Sequence, residues 1–201
     1  MKKLLLTLVA GFIFANAPLL NAEAGEYKFD PNHTEIRLTW NHAGLSDQSG
    51  EWKLSDGSVV FDPKNVSATK VSVTIDTKSV NTGVEELDGH LQGENFFNAE
   101  KFPTITFKST KAVQTSSNTI AITGDLTIKG NTKPITLDFS LNHNGKHPLG
   151  KYFDHYKGQW VGVHGTGSLL RSDYGVGKYA PLTSDLVKIN ISAELREGGW
   201  E

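Results

Sequence analysis

The sequence predicts a mainly β protein built from antiparallel strands. Five segments place apolar residues on one parity and polar residues on the other, which is the pattern of strands with one buried and one solvated face. Because parallel sheets are covered by helices on both faces, this alternation favours antiparallel pairing. The chain of 201 residues has the size of one all-β domain, which we expect to span residues 25–201. The five segments are residues 71–75, 105–107, 120–128, 135–141 and 187–195.

Three more strands are predicted ahead of these segments. Residues 35–42 alternate in the same way. The polar run 46–50 contains serine and glycine and is expected to break that strand, because such clusters are typical of loops. Residues 52–54 open a second strand, and residues 59–61 form a third after a hairpin turn at residues 56–57.

One short helix is predicted at residues 84–92, because Val84, Leu87 and Leu91 recur near helical spacing. Pro103 cannot continue a helix and is expected to start the next strand.

Two irregular features are predicted further along the chain. Gly124 interrupts an alternating strand, which indicates a bulge or a sharp bend. Residues 143–158 are polar and punctuated by glycine and proline, so we expect the longest loop there.

The first residues have the pattern of a cleaved secretory signal. Lys2 and Lys3 precede an apolar run at residues 4–14, and Ala22-Glu23-Ala24 is a small-residue cleavage motif. We therefore expect cleavage near Ala22 or Ala24. A retained anchor is the alternative, but the run is shorter than the ~20 apolar residues that span a bilayer.

Charge and cysteine content exclude several classes of protein. The formal net charge is −2, and loss of Lys2, Lys3 and Glu23 with the signal makes it −3. An acidic balance does not favour binding to nucleic acid or to anionic lipid surfaces. The chain has no cysteine, so thiol chemistry, iron-sulfur clusters and cysteine-zinc sites are excluded.

Four motifs then occur in a fixed order. They are Asp30-Pro31-Asn32-His33-Thr34; Asp88-Gly89-His90-Leu91 followed by residues 95–103; residues 124–130 with Lys133-Pro134; and residues 171–175. In these motifs the chain resembles the YceI-like family of periplasmic, polyisoprenoid-binding, lipocalin-like proteins. The match runs from about Tyr27 to Glu197. Alternation alone does not separate a barrel from a sandwich, but the resemblance implies an extended antiparallel lipocalin-like β-barrel of about eight strands.

The resemblance also implies a function. The barrel interior is expected to hold an isoprenoid, an isoprenoid quinone or another amphiphilic lipid in the periplasm, without a catalytic residue, a metal or a further cofactor. Large residues of inward parity are the candidate lining, although each could equally be ordinary core packing. These residues are Ile36, Leu38, Trp40, Trp52, Val73, Ile75, Phe107, Leu126, Ile128, Leu137, Phe139, Val163 and Ile189.

Polar groups near strand ends are the candidates for contact with a lipid headgroup. They are His33, Arg37, His42 and His90. Each could instead be a surface or capping group, as isolated histidines near strand ends commonly are. Asp88 is expected to support the helix or the loop beside it.

Two further hypotheses of different classes are weighed against the carrier. One is a protein-interaction or stress-response module that acts through its outer surface. The other is a metal-dependent enzyme that uses His143, His147 and His155, although their spacing matches no defined motif and a solvated loop is favoured. No Gly-x-Ser-x-Gly nucleophile motif occurs. A homodimer is possible, with Leu149 and Trp200 as candidate contact residues.

Overall fold

The computed structural model describes residues 24–200. Residues 1–23, which hold most of the predicted signal, lie outside the described residues. The strands are β1 (Gly25–His42), β2 (Ser46–Trp52), β3 (Leu54–Phe61), β4 (Lys70–Asp76), β5 (Thr104–Gln114), β6 (Thr119–Ile128), β7 (Asn131–Lys146), β8 (Gln159–Leu170) and β9 (Thr183–Glu197). Within residues 24–200, no helix has the length and apolar character needed to cross a membrane.

Eight strands close into a barrel. From β3 to β9 each strand pairs antiparallel with the next, and β1 pairs with both β3 and β9, which completes the ring. The second half of β1 also pairs with β2, so β2 extends the wall as a ninth strand. The predicted mainly β class and the antiparallel barrel of about eight strands are confirmed.

One α-helix, α1, spans Glu85–Gln92 and matches the predicted segment. Asp88 Oδ1 accepts hydrogen bonds from Thr82 N at 2.8 Å and Thr82 Oγ1 at 2.7 Å, so it ties the preceding loop to the helix. Short 3-10 turns occur at Val66–Ala68, Thr77–Ser79, Pro148–Lys151, Asp154–Tyr156 and Arg171–Tyr174.

The first hairpin differs from the prediction. The run 46–50 is not a break but most of β2, and the chain reverses before it at Ala43 and Gly44, whose φ angles are 53° and 75°. The predicted hairpin turn at residues 56–57 is also wrong, because both residues lie within β3 and pair with β4. β1 begins at Gly25, ten residues before the predicted start at Glu35, and its first residues pair with β3.

The irregularity predicted at Gly124 lies on the neighbouring strand. Gly124 pairs regularly with Ile135, while the register shift falls in β5 between Ser109 and Lys111. A Cβ on Gly124 would lie 2.5 Å from the ring of Phe107, so the glycine makes room for that inward ring. The predicted long loop is shorter than expected, because β7 continues to Lys146.

Candidate functional site

The barrel encloses an apolar cavity of about 170 Å³ in which every lining atom that faces the space is apolar. The cavity follows from the parity of the strands, since each strand turns alternate side chains inward. Twelve of the thirteen lining candidates border it, namely Ile36, Leu38, Trp52, Val73, Ile75, Phe107, Leu126, Ile128, Leu137, Phe139, Val163 and Ile189. The thirteenth, Trp40, does not border this cavity but lines the open end of the barrel.

The structure adds lining residues that the sequence reasoning did not select. Several continue the inward parity of strands already predicted, and extending the alternation would have found them. Phe97 follows α1 outside any strand, so no periodic signal marks it. The added residues are Tyr27, Phe29, Thr34, Leu54, Val59, Phe61, Thr69, Val71, Phe97, Ile105, Ile120, Ile122, Ile135, Leu141, Val161, Leu169, Ile191 and Leu195.

A second, larger cavity of about 660 Å³ forms the mouth of the barrel. Helix α1 borders it with Leu87, His90 and Leu91, and the segment before β9 borders it with Val176 and Tyr179. Unlike the inner cavity, the mouth presents polar as well as apolar atoms. An amphiphile could therefore place its chain inward and its polar group here.

Five residues line both cavities and form the boundary between them, which we call the neck. They are Leu38, Trp52, Phe97, Ile128 and Leu169. The rings of Trp52 and Phe97 meet edge to face, with centroids 5.5 Å apart and an interplanar angle of 69°. Such aromatic contacts stabilise a packed arrangement, and a change of either rotamer would alter the width of the neck.

The structure separates the four headgroup candidates into two pairs. His42 and His90 line the mouth. Arg37 lies on the outer face of the barrel, where its guanidinium contacts Glu35 and Glu51. His33 is also outside, and its hydrogen bond to Asp30 at 2.8 Å raises the pKa of the imidazole. Arg37 and His33 therefore face neither cavity.

Arg171 is the polar residue that organises the mouth. Its buried guanidinium donates to four backbone carbonyls, those of Val176, Lys178, Thr183 and Ser184, at 2.6 to 2.9 Å. Burial lowers the pKa of Arg171, because the charged form loses hydration. The four bonds fix the segment that carries Tyr179 over the mouth.

The histidines of the predicted metal-enzyme loop do not converge. His147 stacks on Tyr156 with ring centroids 4.3 Å apart, while His155 stacks on Trp200 at 4.9 Å. His143 and His147 line an outer groove that His155 does not reach.

Of the proposed dimer residues, Leu149 is 40% exposed. Trp200 instead packs on its own chain, and its indole N–H donates to the Phe29 carbonyl.

A closed antiparallel barrel with an apolar interior and a wider, partly polar mouth is a barrel of the lipocalin-like class. The sequence matches the YceI-like domain over residues 27–195. Protein YceI of Salmonella agona strain SL483 is 38% identical over 198 residues, covering 96% of this chain and 97% of that protein. The chain belongs to the YceI-like family, as its motifs predict.

Solved structures share the fold. BcnA of Burkholderia cenocepacia has a TM-score of 0.72 at 23% identity, over 83% of this chain and 98% of that one. A polyisoprenoid binding domain from Saccharophagus degradans has a TM-score of 0.61 at 11% identity, over 85% of this chain and 98% of that one. At these identities the two structures show the common barrel.

Proposed function

We propose that this protein is a periplasmic binding or carrier protein that holds a long-chain isoprenoid, an isoprenoid quinone or another amphiphilic lipid in the barrel. The observation that carries the proposal is the inner cavity, which presents only apolar atoms and adjoins a mouth with polar groups. The Saccharophagus degradans domain of the same fold is described as polyisoprenoid binding, which supports the ligand class. The predicted signal sequence supports the location.

Burial of hydrocarbon supplies the binding energy in this proposal. Each CH₂ group removed from water is worth about 0.8 kcal/mol, so a chain needs no polar anchor in the bore. The inner cavity of about 170 Å³ is close in size to an engineered apolar cavity of roughly 150 Å³ that accepts benzene. A longer chain must also occupy the neck and the mouth, and we expect Trp52 and Phe97 to change rotamer when it does.

The same arrangement favours binding over catalysis. Proton transfer and nucleophilic attack need polar side chains at the reacting atoms, whereas the surface of the inner cavity is hydrocarbon, and the polar atoms of its lining residues, such as Tyr27 Oη and Thr69 Oγ1, are buried away from the space. In this proposal the polar groups that line the mouth, among them His42 and His90, contact the headgroup, while the chain lies in the bore. We therefore assign the protein no reaction.

The proposal is tested by extracting the ligand. The full chain is expressed in a Gram-negative bacterium, purified from the periplasm without detergent, and its organic extract is analysed by mass spectrometry. We expect a long-chain lipid in stoichiometric amounts. Val73 borders the cavity and its neighbour Ser72 is exposed on the opposite face of β4. Val73→Phe should lose most of the lipid, and the matched variant Ser72→Phe should keep it.

Two results would contradict the proposal. One is a folded, periplasmic protein whose extract contains no apolar molecule above the background of a non-binding protein. The other is equal lipid content in Val73→Phe and Ser72→Phe, since the ligand would then lie outside the bore.

A further inference from the structure

A bulge in the barrel wall brings three metal-ligating side chains together on the outer face. β1 pairs with β9 at Phe29 and Leu195 and resumes at Thr34 and Ala193, so the four residues 30–33 lie opposite the single residue Glu194. One potential donor atom each from Asp30, His33 and Glu194 falls within 4.8 Å of the others. Asp30 and His33 come from the motif Asp30-Pro31-Asn32-His33-Thr34, and the register of the sheet brings Glu194 to them.

In the part of the chain that the structure describes, the two carboxylates of the cluster have only histidine side chains beside them as potential cationic partners. The Asp30 side chain is only 1% exposed, and its hydrogen bonds are from Asn32 N at 2.8 Å and with His33 Nδ1 at 2.8 Å. A buried carboxylate is costly without a compensating cation, and a second carboxylate nearby adds repulsion. Within residues 24–200, no lysine or arginine forms an ion pair with Asp30 or Glu194.

His147 lies beside Glu194, in the loop after β7. Its Nδ1 accepts a hydrogen bond from Leu149 N at 3.1 Å, so the neutral ring carries its proton on Nε2. That nitrogen lies 3.6 Å from Glu194 Oε2. His147 therefore has no free lone pair for a metal in this tautomer, and at this distance it is a neighbour of the Glu194 carboxylate without a hydrogen bond to it.

The surface around the cluster leaves room for an ion and its water ligands. On the outer face, Gly162 of β8 pairs with Glu194 of β9 on one side and with His143 of β7 on the other. Because Gly162 has no side chain, the space between the side chains of Glu194 and His143 is open. All three residues line one open groove together with His33. His33 itself is exposed, which gives an ion a path to the cluster.

We propose that Asp30, His33 and Glu194 form a binding site for a divalent transition-metal ion of the Zn²⁺ class. An imidazole nitrogen with two carboxylate oxygens is a donor set that Zn²⁺ and related ions accept, with water completing the coordination, whereas Mg²⁺ prefers oxygen ligands alone. The site lies on the outside of the barrel and does not depend on the lipid proposal.

The test is calorimetric titration of ZnCl₂ into full-chain protein that carries no polyhistidine tag and has been treated with EDTA. We expect one Zn²⁺ per molecule and no comparable signal with MgCl₂. His33→Gln and Glu194→Gln should each weaken Zn²⁺ binding by at least about tenfold. The matched control is His155→Gln, because His155 is an exposed histidine that stands outside the groove.

A spectroscopic readout separates coordination from folding. In protein with ¹⁵N-labelled histidine, Zn²⁺ should shift the ring nitrogens of His33 and leave those of His90 unchanged, because His90 lies at the mouth. Circular dichroism confirms that each variant is folded. Absence of Zn²⁺ binding by the unmodified protein overturns the proposal, as does undiminished binding in both His33→Gln and Glu194→Gln.

Discussion

Arg171 shows how one buried side chain shapes the opening of the barrel. It is 8% exposed, and its guanidinium donates four hydrogen bonds to backbone carbonyls of residues 176–184, where the chain enters β9. The planar guanidinium can reach several carbonyls in fixed directions, which an ammonium group cannot do. The residue therefore holds the segment that borders the mouth.

We predict that Arg171→Lys lowers the free energy of unfolding by about 2 kcal/mol, because hydrogen bonds from a charged donor are lost while the charge stays buried. Urea denaturation measures the change. Hydrogen exchange should accelerate in residues 176–184, which carry the bonded carbonyls. The exposed neighbour Lys178 supplies the control, since Lys178→Arg should alter neither quantity. Equal exchange rates in the two variants would show that Arg171 does not fix this segment.

For single residues, the alternation of apolar and polar positions predicted which side chains point into the barrel. It did not predict which of the four polar headgroup candidates lie at the mouth. Val73 and Leu137 sit in regular alternation, so neighbouring residues in the sequence determine which way they point. Arg37 alternates with the inward residues Ile36 and Leu38, so the same parity directs it outward. His33 depends instead on the bulge of β1, which is a long-range feature that no alternation encodes.

Helix α1 is the element that covers the mouth, and Asp88 stabilises its start. Glu85, Glu86 and Asp88 all lie in the first turn, where carboxylates interact favourably with the positive end of the helix dipole. Asp88 differs from the other two because it also bonds Thr82 twice. The eight-residue helix depends on such contacts, since short helices are marginal in isolation.

We expect Asp88→Ala to cost about 1 kcal/mol and to speed hydrogen exchange in residues 85–92, because the bonds to Thr82 are lost. Asp88→Asn should retain most of the stability, since its amide oxygen can still accept. Glu85→Ala is the matched exposed control and should have a smaller effect. If Asp88→Asn were as unstable as Asp88→Ala, charge rather than hydrogen bonding would be the cause.

Strands with one buried face were predicted correctly from the alternation of apolar and polar residues, whereas strands without a buried face were not. β6 alternates along its whole length and was predicted within one residue. β2 is exposed from Ser46 to Ser49, because this part of the strand forms the rim of the mouth, beyond the end of β4, where both of its faces meet water. A strand without a buried face has no apolar alternation, so its sequence is that of a loop.

The sheet closes into a barrel, and the strand edge that closure leaves free, on β2, is protected from pairing with other chains. The ring of eight strands leaves no unpaired edge of its own, while the outer edge of β2 is joined to the rest of residues 24–200 by one bridge, between Glu51 and Asn81. The remainder of that edge is polar, which is how natural sheets avoid pairing with other chains. Closure is a property of all strands together, and only the family motifs pointed to it from the sequence.

The enclosed space is likewise a property of the whole barrel. Inward glycines leave room for large neighbours, as at Gly165, where a Cβ would clash with the ring of Phe139. The result is a narrow inner cavity, a neck of five residues and a wider mouth. Sequence parity supplies the lining, but the volumes depend on how rings from distant strands pack against each other.

If a hydrocarbon chain lies along this bore, the affinity of the protein must depend on the length of the chain. A homologous series of straight-chain fatty alcohols is titrated into delipidated protein by displacement of a fluorescent fatty acid. We predict that each added CH₂ strengthens binding by up to about fourfold until the bore is full, after which affinity is constant. The plateau should come at a shorter chain in Val73→Phe than in Ser72→Phe. An affinity that does not change with chain length, or a plateau at the same length in both variants, would contradict the account.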